Sequence, residues 1–109
     1  MNKVTVYIPT AKLDLYHVGE VVRTLTLIAG GRTETPSHGH WQAPAGELVS
    51  EPITQVSFLR DDGGMYADES TLAKNVAFAG NLDRLVRELH DSGEQSVLIE
   101  RTQVETEFV

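Results

Sequence analysis

The chain has 109 residues, with 9 basic and 16 acidic side chains for a formal charge of −7, and it is 40% apolar and 23% charged. That is the balance of one soluble globular domain, too apolar for a disordered chain and without any run near the ~20 apolar residues of a membrane span. With no cysteine, disulfides, thiolate metal sites and thiol catalysis are excluded.

The N-terminus enters an alternating pattern at once, with no signal-peptide core, so a cytoplasmic location is expected. Residues 3–8 read Lys-Val-Thr-Val-Tyr-Ile, placing Val4, Val6 and Ile8 on one face, as in a half-buried strand ended by Pro9. Residues 10–16 read as a loop. Val18, Val21, Val22, Leu25 and Ile28 then recur at helical spacing, and Gly30-Gly31 closes that helix. Residues 32–42 form a polar strand, expected at a sheet edge because Pro36 and Gly39 interrupt it. Ala43–Gly46 is turn chemistry, and the next strand, 53–60, completes a hairpin. Asp61-Asp62-Gly63-Gly64 is a turn.

A second helix is expected from about Ser70, with a stripe of Leu72, Val76, Ala79, Leu82, Val86 and Leu89. Gly80-Asn81 marks a possible split, after which Asn81 would cap a shorter helix carrying Leu82, Leu85, Val86 and Leu89 inward. Gly93 ends it, and His90 near that end suits the helix dipole. Residues 96–101 are the last strand, and 102–109 continue as strand or tail. The order strand, helix, strand, strand, helix, strand is the split β-α-β pattern. It predicts a single α+β domain over 1–109: a ferredoxin-like β-α-β-β-α-β fold with a four-stranded antiparallel sheet and two helices on one face. Such sheets pair face to face or edge to edge, so a homo-oligomer is expected, with Tyr7 and Trp41 as candidate contact residues.

The Val-Tyr-Ile-Pro-Thr strand, the Gly30-Gly31 turn, the polar strand reaching Trp41, Ala45-Gly46-Glu47-Leu48-Val49 with Glu51-Pro52, and the late Ser96-Val97-Leu98-Ile99-Glu100 together resemble a set of small, uncharacterised bacterial, plasmid and phage proteins. The resemblance spans roughly residues 3–100. It rests on turn and strand signatures, brings no catalytic residues with it, and stops at the 61–80 segment and at His38-Gly39-His40. It implies a binding role on a mobile element, in some cases against a host defence protein.

Candidate chemistry is sparse. His38 and His40 are two apart on a strand and so share a face. With Glu47, Glu51 or His17 they could hold a metal, but two imidazoles without a third ligand at diagnostic spacing are a weak signal and read first as an exposed pair, so no metal or other cofactor is assigned. Trp41 is the only tryptophan and fits a partner anchor as well as a hairpin core. Arg32, after Gly31, could meet an anion. Asp61, Asp62, Asp68 and Glu69 gather carboxylates near one loop without the spacing of a calcium loop. They suit a surface that grips a basic partner. No serine lies in a nucleophile elbow, no glycine loop has phosphate-binding spacing, and Ser37 and His38 point to opposite faces.

The acids lean toward the second half: residues 55–109 carry eleven against five bases, and residues 1–54 five against four. No basic stripe exists for nucleic acid. The sequence therefore points to a non-enzymatic binding protein that blocks a host protein or sequesters a small ligand. Its expected contact residues are Trp41, His38, His40 and Arg32, with Asp61, Asp62, Asp68 and Glu69 second. The rivals are a small-molecule or metal-sensing oligomer and a small dimeric enzyme with its pocket between sheet and helices.

Overall fold

A computed structural model describes all residues 1–109. Strands β1 (Asn2–Pro9), β2 (Thr33–Gln42), β3 (Leu48–Arg60) and β4 (Ile99–Gln103) alternate with helices α1 (Thr10–Leu13), α2 (Tyr16–Ala29) and α3 (Glu69–Asp91). The sheet is antiparallel throughout, in the order β2-β3-β1-β4. The expected fold is thus present, with β2 at an edge.

The alternation of β1 decides which face is buried. Val6 and Ile8 are fully buried, and across the ladder Val56 and Phe58 join them. Against this face α2 lays Val18, Val21, Val22 and Leu25, and α3 lays Phe78, Leu82, Leu85 and Leu89. Phe58 and Phe78 meet edge to face at 5.7 Å and 78°, the arrangement aromatic quadrupoles favour. Both long helices therefore cover one face, and the other is open.

The structure corrects the expected helices and the first three strands in four places. First, α3 is one helix of 23 residues and does not split at Gly80. Glycine costs a helix interior only ~1 kcal/mol, less than the burial of four large apolar residues on one stripe returns. Asn81 donates back to the Ala77 carbonyl at 2.8 Å and caps nothing. Second, the stripe is Phe78, Leu82, Leu85 and Leu89, while Leu72 and Val76 are exposed. Third, β3 begins at Leu48 and passes through Pro52, which its pairing with β2 alone tolerates. Fourth, residues 10–13 form a helical turn. The Lys12 ammonium there donates to the Ser92 carbonyl at 2.5 Å, placing a cation at the negative end of α3.

That end closes as a Schellman motif. Glu94 N–H donates to Leu89 and Gly93 N–H to His90, with Gly93 at φ +107° in the conformation glycine adopts most readily. The last strand starts at Ile99, later than expected. Val97 nonetheless packs against the core, and the Leu98 carbonyl accepts from Tyr7.

Candidate functional site

The feature that stands apart from the folded body is the β2–β3 hairpin. β1 pairs with β3 only from Ile53 onward, whereas β2 follows β3 back to Leu48. The five pairs His38–Pro52 to Gln42–Leu48 therefore project as a two-stranded arm of roughly 17 Å at ~3.4 Å per residue. It gives the molecule its length of 50 Å against widths of 28 and 22 Å. No residue of the arm is buried. The turn at its tip is held by Ala43 donating to Glu47 and Gly46 donating to Ala43, both at 2.8 Å.

The arm has two chemically different faces. His38 and His40 lie on the face that carries the helices farther along the sheet, with their rings stacked at 5.9 Å and 30°. The spacing of two brings them together as expected. No third His, Asp or Glu joins them in a metal-holding group, so Glu47, Glu51 and His17 do not complete the set within one chain. On the opposite face Trp41 lies beside Gly39, where a Cβ would meet the Ile53 side chain at 2.9 Å and the Trp41 ring at 3.7 Å. Trp41 is 42% exposed, while Leu48 at the tip, paired with Gln42 and so on the histidine face, is 83% exposed. Ser37 donates to the Ile53 carbonyl at 3.3 Å, away from His38.

Arg32 sits at the base of β2, outside the arm. It donates to Glu34 at 3.2 Å and to Thr26 at 3.0 Å, and it lines a groove of about 530 Å³ on the open sheet face together with Lys3, Gln55 and Phe108. On the same face Thr5 and Ser57, the latter also lining the groove, share a 2.8 Å hydrogen bond, and the Tyr7 hydroxyl donates to Glu100. That bond, with some burial, holds the Tyr7 hydroxyl above its usual pKa.

The acidic residues have local work. Asp61 accepts from Gly63 N–H and Asp62 from Gly64 N–H, both at 2.9 Å, the side-chain-to-backbone bonds that favour aspartate in turns. Asp68 is the N-cap of α3, accepting from Thr71 N–H at 2.8 Å, with Glu69 in the first turn, where the helix dipole favours an anion. Both shifted carboxyls lie below the usual carboxylate range: Asp62 through the Gly64 N–H and then Asn2, and Asp68 through the Thr71 N–H. A depressed folded-state pKa gives stability that is present above the unfolded value of ~4 and lost as the pH falls through the folded value. Asp68→Ala is therefore expected to lower the melting temperature at pH 7, with the gap to wild type narrowing below about pH 4. A pH series by circular dichroism checks this, and a gap unchanged down to pH 2 would contradict it.

A second cleft has no counterpart among the sequence motifs. It lies between α3 and the β1–β4 edge, at the end of the sheet opposite the arm, and encloses about 550 Å³. Arg60, Asn75 and Arg101 line it. No motif links these positions: the β1–β3 and β1–β4 registers bring Arg60 and Arg101 to one end of the sheet, and α3 supplies Asn75. No helix of the chain is long and apolar enough to cross a membrane.

No protein-family model matches the chain, and no curated protein matches it in sequence. Solved structures do resemble it in shape. The periplasmic divalent cation tolerance protein CutA from Archaeoglobus fulgidus is 11% identical, with 98% of this chain and 86% of that one covered, at a TM-score of 0.59. The PII-like protein CutA from Nostoc is 15% identical, over 96% and 82%, at 0.55. A phage SAM lyase in complex with S-methyl-5'-thioadenosine is 17% identical, over 94% and 80%, at 0.52. At these identities the likeness establishes the ferredoxin-like α+β fold.

Proposed function

We propose that the chain is a non-enzymatic binding protein that works as a homo-oligomer, the arm of one copy seated on the next and a small ligand held where they meet. The arm carries this reading. Five residue pairs project with no buried residue, and an isolated two-stranded ribbon is marginal in water. Its exposed Trp41 and Leu48 are the kind of rigid and apolar anchors that interfaces use. The two lie on opposite faces of the ribbon, and the unpaired outer edge of β2 between them adds backbone donors and acceptors. Docking would also bring the His38–His40 pair against side chains of a second copy, which could supply the metal ligands one chain lacks.

The cation-tolerance proteins and the thioadenosine-bound phage enzyme among the structural neighbours name the first two ligands to try, a divalent cation and S-adenosylmethionine. Native mass spectrometry is expected to find an oligomer for the wild type and a monomer for the double variant Trp41→Glu, Leu48→Glu, with circular dichroism unchanged. A wild-type monomer at tens of micromolar would sink the reading. With Zn²⁺ added, retention by the wild type and loss in His38→Ala, His40→Ala would identify the sensor form of the proposal. Turnover of S-adenosylmethionine to methylthioadenosine would instead make the protein an enzyme.

The acid-rich second half of the chain and the phage protein among the neighbours support a second reading, a mobile-element protein that covers a basic surface of a host protein. It predicts a species that stays empty with both ligands and binds a basic partner with strong salt dependence.

A further inference from the structure

We infer that the cleft between α3 and the β1–β4 edge is a binding site for a small organic anion with an apolar body. Its volume of about 550 Å³ falls within the roughly 300–1,000 Å³ of small-molecule sites. The floor is apolar, formed by Val4, Phe78 and Leu82. Above it two guanidinium groups face the same space. Arg60 lies over the Phe78 ring, 4.8 Å from its centroid, and donates to Asn75 Oδ1 at 2.8 Å.

Arg60 is held in place by a continuous wall of hydrogen bonds. Gln103 donates to Asn2, Asn2 donates to the Asp62 carboxylate, and Asn75 donates to the Asp62 carbonyl. One of the five Arg60 donors is thereby used, and the rest remain for a ligand. Arg101 makes no ion pair within the chain, whose two salt bridges are Arg32–Glu34 and Arg84–Glu20. Of the charged lining residues, Lys3 extends from the opposite face of β1, so Arg60 and Arg101 stand against Asp62 and Asp83, and the Asp62 carboxylate is already engaged by Asn2 and the Gly64 N–H. A preorganised guanidinium beside a free one favours a carboxylate or phosphate that can accept a forked pair of hydrogen bonds. The aromatic and aliphatic floor calls for an apolar group behind that anion. This site lies within one chain, so it does not depend on the assembly proposed above.

The test is an NMR titration of the ¹⁵N-labelled protein with phenylacetate, phenyl phosphate and the neutral phenylacetamide. Both anions are expected to shift Asn75, Phe78, Arg101 and Gln103, and the tighter of the two identifies the source of the charge. Phenylacetamide should bind at least ten-fold more weakly than phenylacetate. Arg101→Ala, at an exposed side chain, should weaken the anions ten-fold or more and Arg101→Lys less, while Arg87→Ala on the exposed side of α3 should leave them unchanged. The variant Trp41→Glu, Leu48→Glu should bind as the wild type does, separating this site from the arm. Equal binding of acid and amide, an unaffected Arg101→Ala variant, or shifts that map elsewhere would overturn the inference.

Discussion

Replacing Phe58 by alanine is expected to cost about 3–5 kcal/mol of unfolding free energy, a large share of the roughly 5–15 kcal/mol by which a domain is stable. Phe58 has no exposed surface. It faces Val4 across the ladder and meets Phe78 of α3 edge to face, so it joins the sheet to the helix layer. Alanine there removes the apolar area and leaves a cavity that a strand held on both sides cannot close. It also withdraws support from Phe78, on which Arg60 rests. Phe58→Leu keeps much of the volume and should lose markedly less. Urea unfolding followed by circular dichroism measures both. A loss below about 1 kcal/mol for Phe58→Ala would mean that the two layers are not joined through this residue.

Two glycines are expected to respond in opposite directions. Gly63 has φ +75°, and a Cβ there would stand 2.8 Å from the Ala67 Cβ and 2.9 Å from the Ala67 Cα. Gly63→Val therefore combines a backbone conformation that branched residues resist with a clash against main chain. It should destabilise by about 1–3 kcal/mol, and by loosening the turn that positions Asp62 it should also disturb the α3 cleft. Gly80 lies inside α3, and a methyl group added there would meet nothing within 4 Å, so Gly80→Ala should raise stability by about 0.5–1 kcal/mol. Thermal melts of the two variants check the signs. A destabilised Gly80→Ala would mean that α3 needs the weakness at its middle.

The fold was legible where one period dominates. β1 alternates strictly, α2 repeats its valines and Leu25 at helical spacing, and Gly30 and Gly93 end helices as left-handed glycines do. Legibility failed where tertiary contacts outvote local signals. Gly80-Asn81 argues for a break, yet Phe78 and Leu82 on either side of it are both buried. Pro52 argues against a strand, yet β3 runs through it because β2 supplies the pairing. The short α1 is held by contacts that no local pattern records: Thr10 to Thr54 at 2.9 Å and Lys12 to the end of α3.

The candidate sites divide in the same way. His38 and His40 share a face because strand geometry requires it, and this could be read directly from their spacing. The roles of Asp61, Asp62 and Asp68 in turns and a cap follow from the Gly-Gly and Ser-Thr that succeed them, whereas composition alone shows only a cluster of carboxylates. The arginine cleft had no sequence signal, because its residues come from four separate elements and the loop after β3.

The sheet has two open borders of unequal length, ten residues in β2 and five in β4. Any contact in which one copy's β2 pairs with the next copy's β4 is head-to-tail and leaves a border free at each end. It must then either close after a few rotations into a ring or continue as a filament. The length mismatch bears on which. About half of β2 would overhang its partner, and the natural overhang is the projecting ribbon. By reaching across to a further subunit it could fix the rotation at which the ring shuts. If the proposed oligomer uses that contact, shortening the ribbon is expected to replace a closed particle by one of indefinite length.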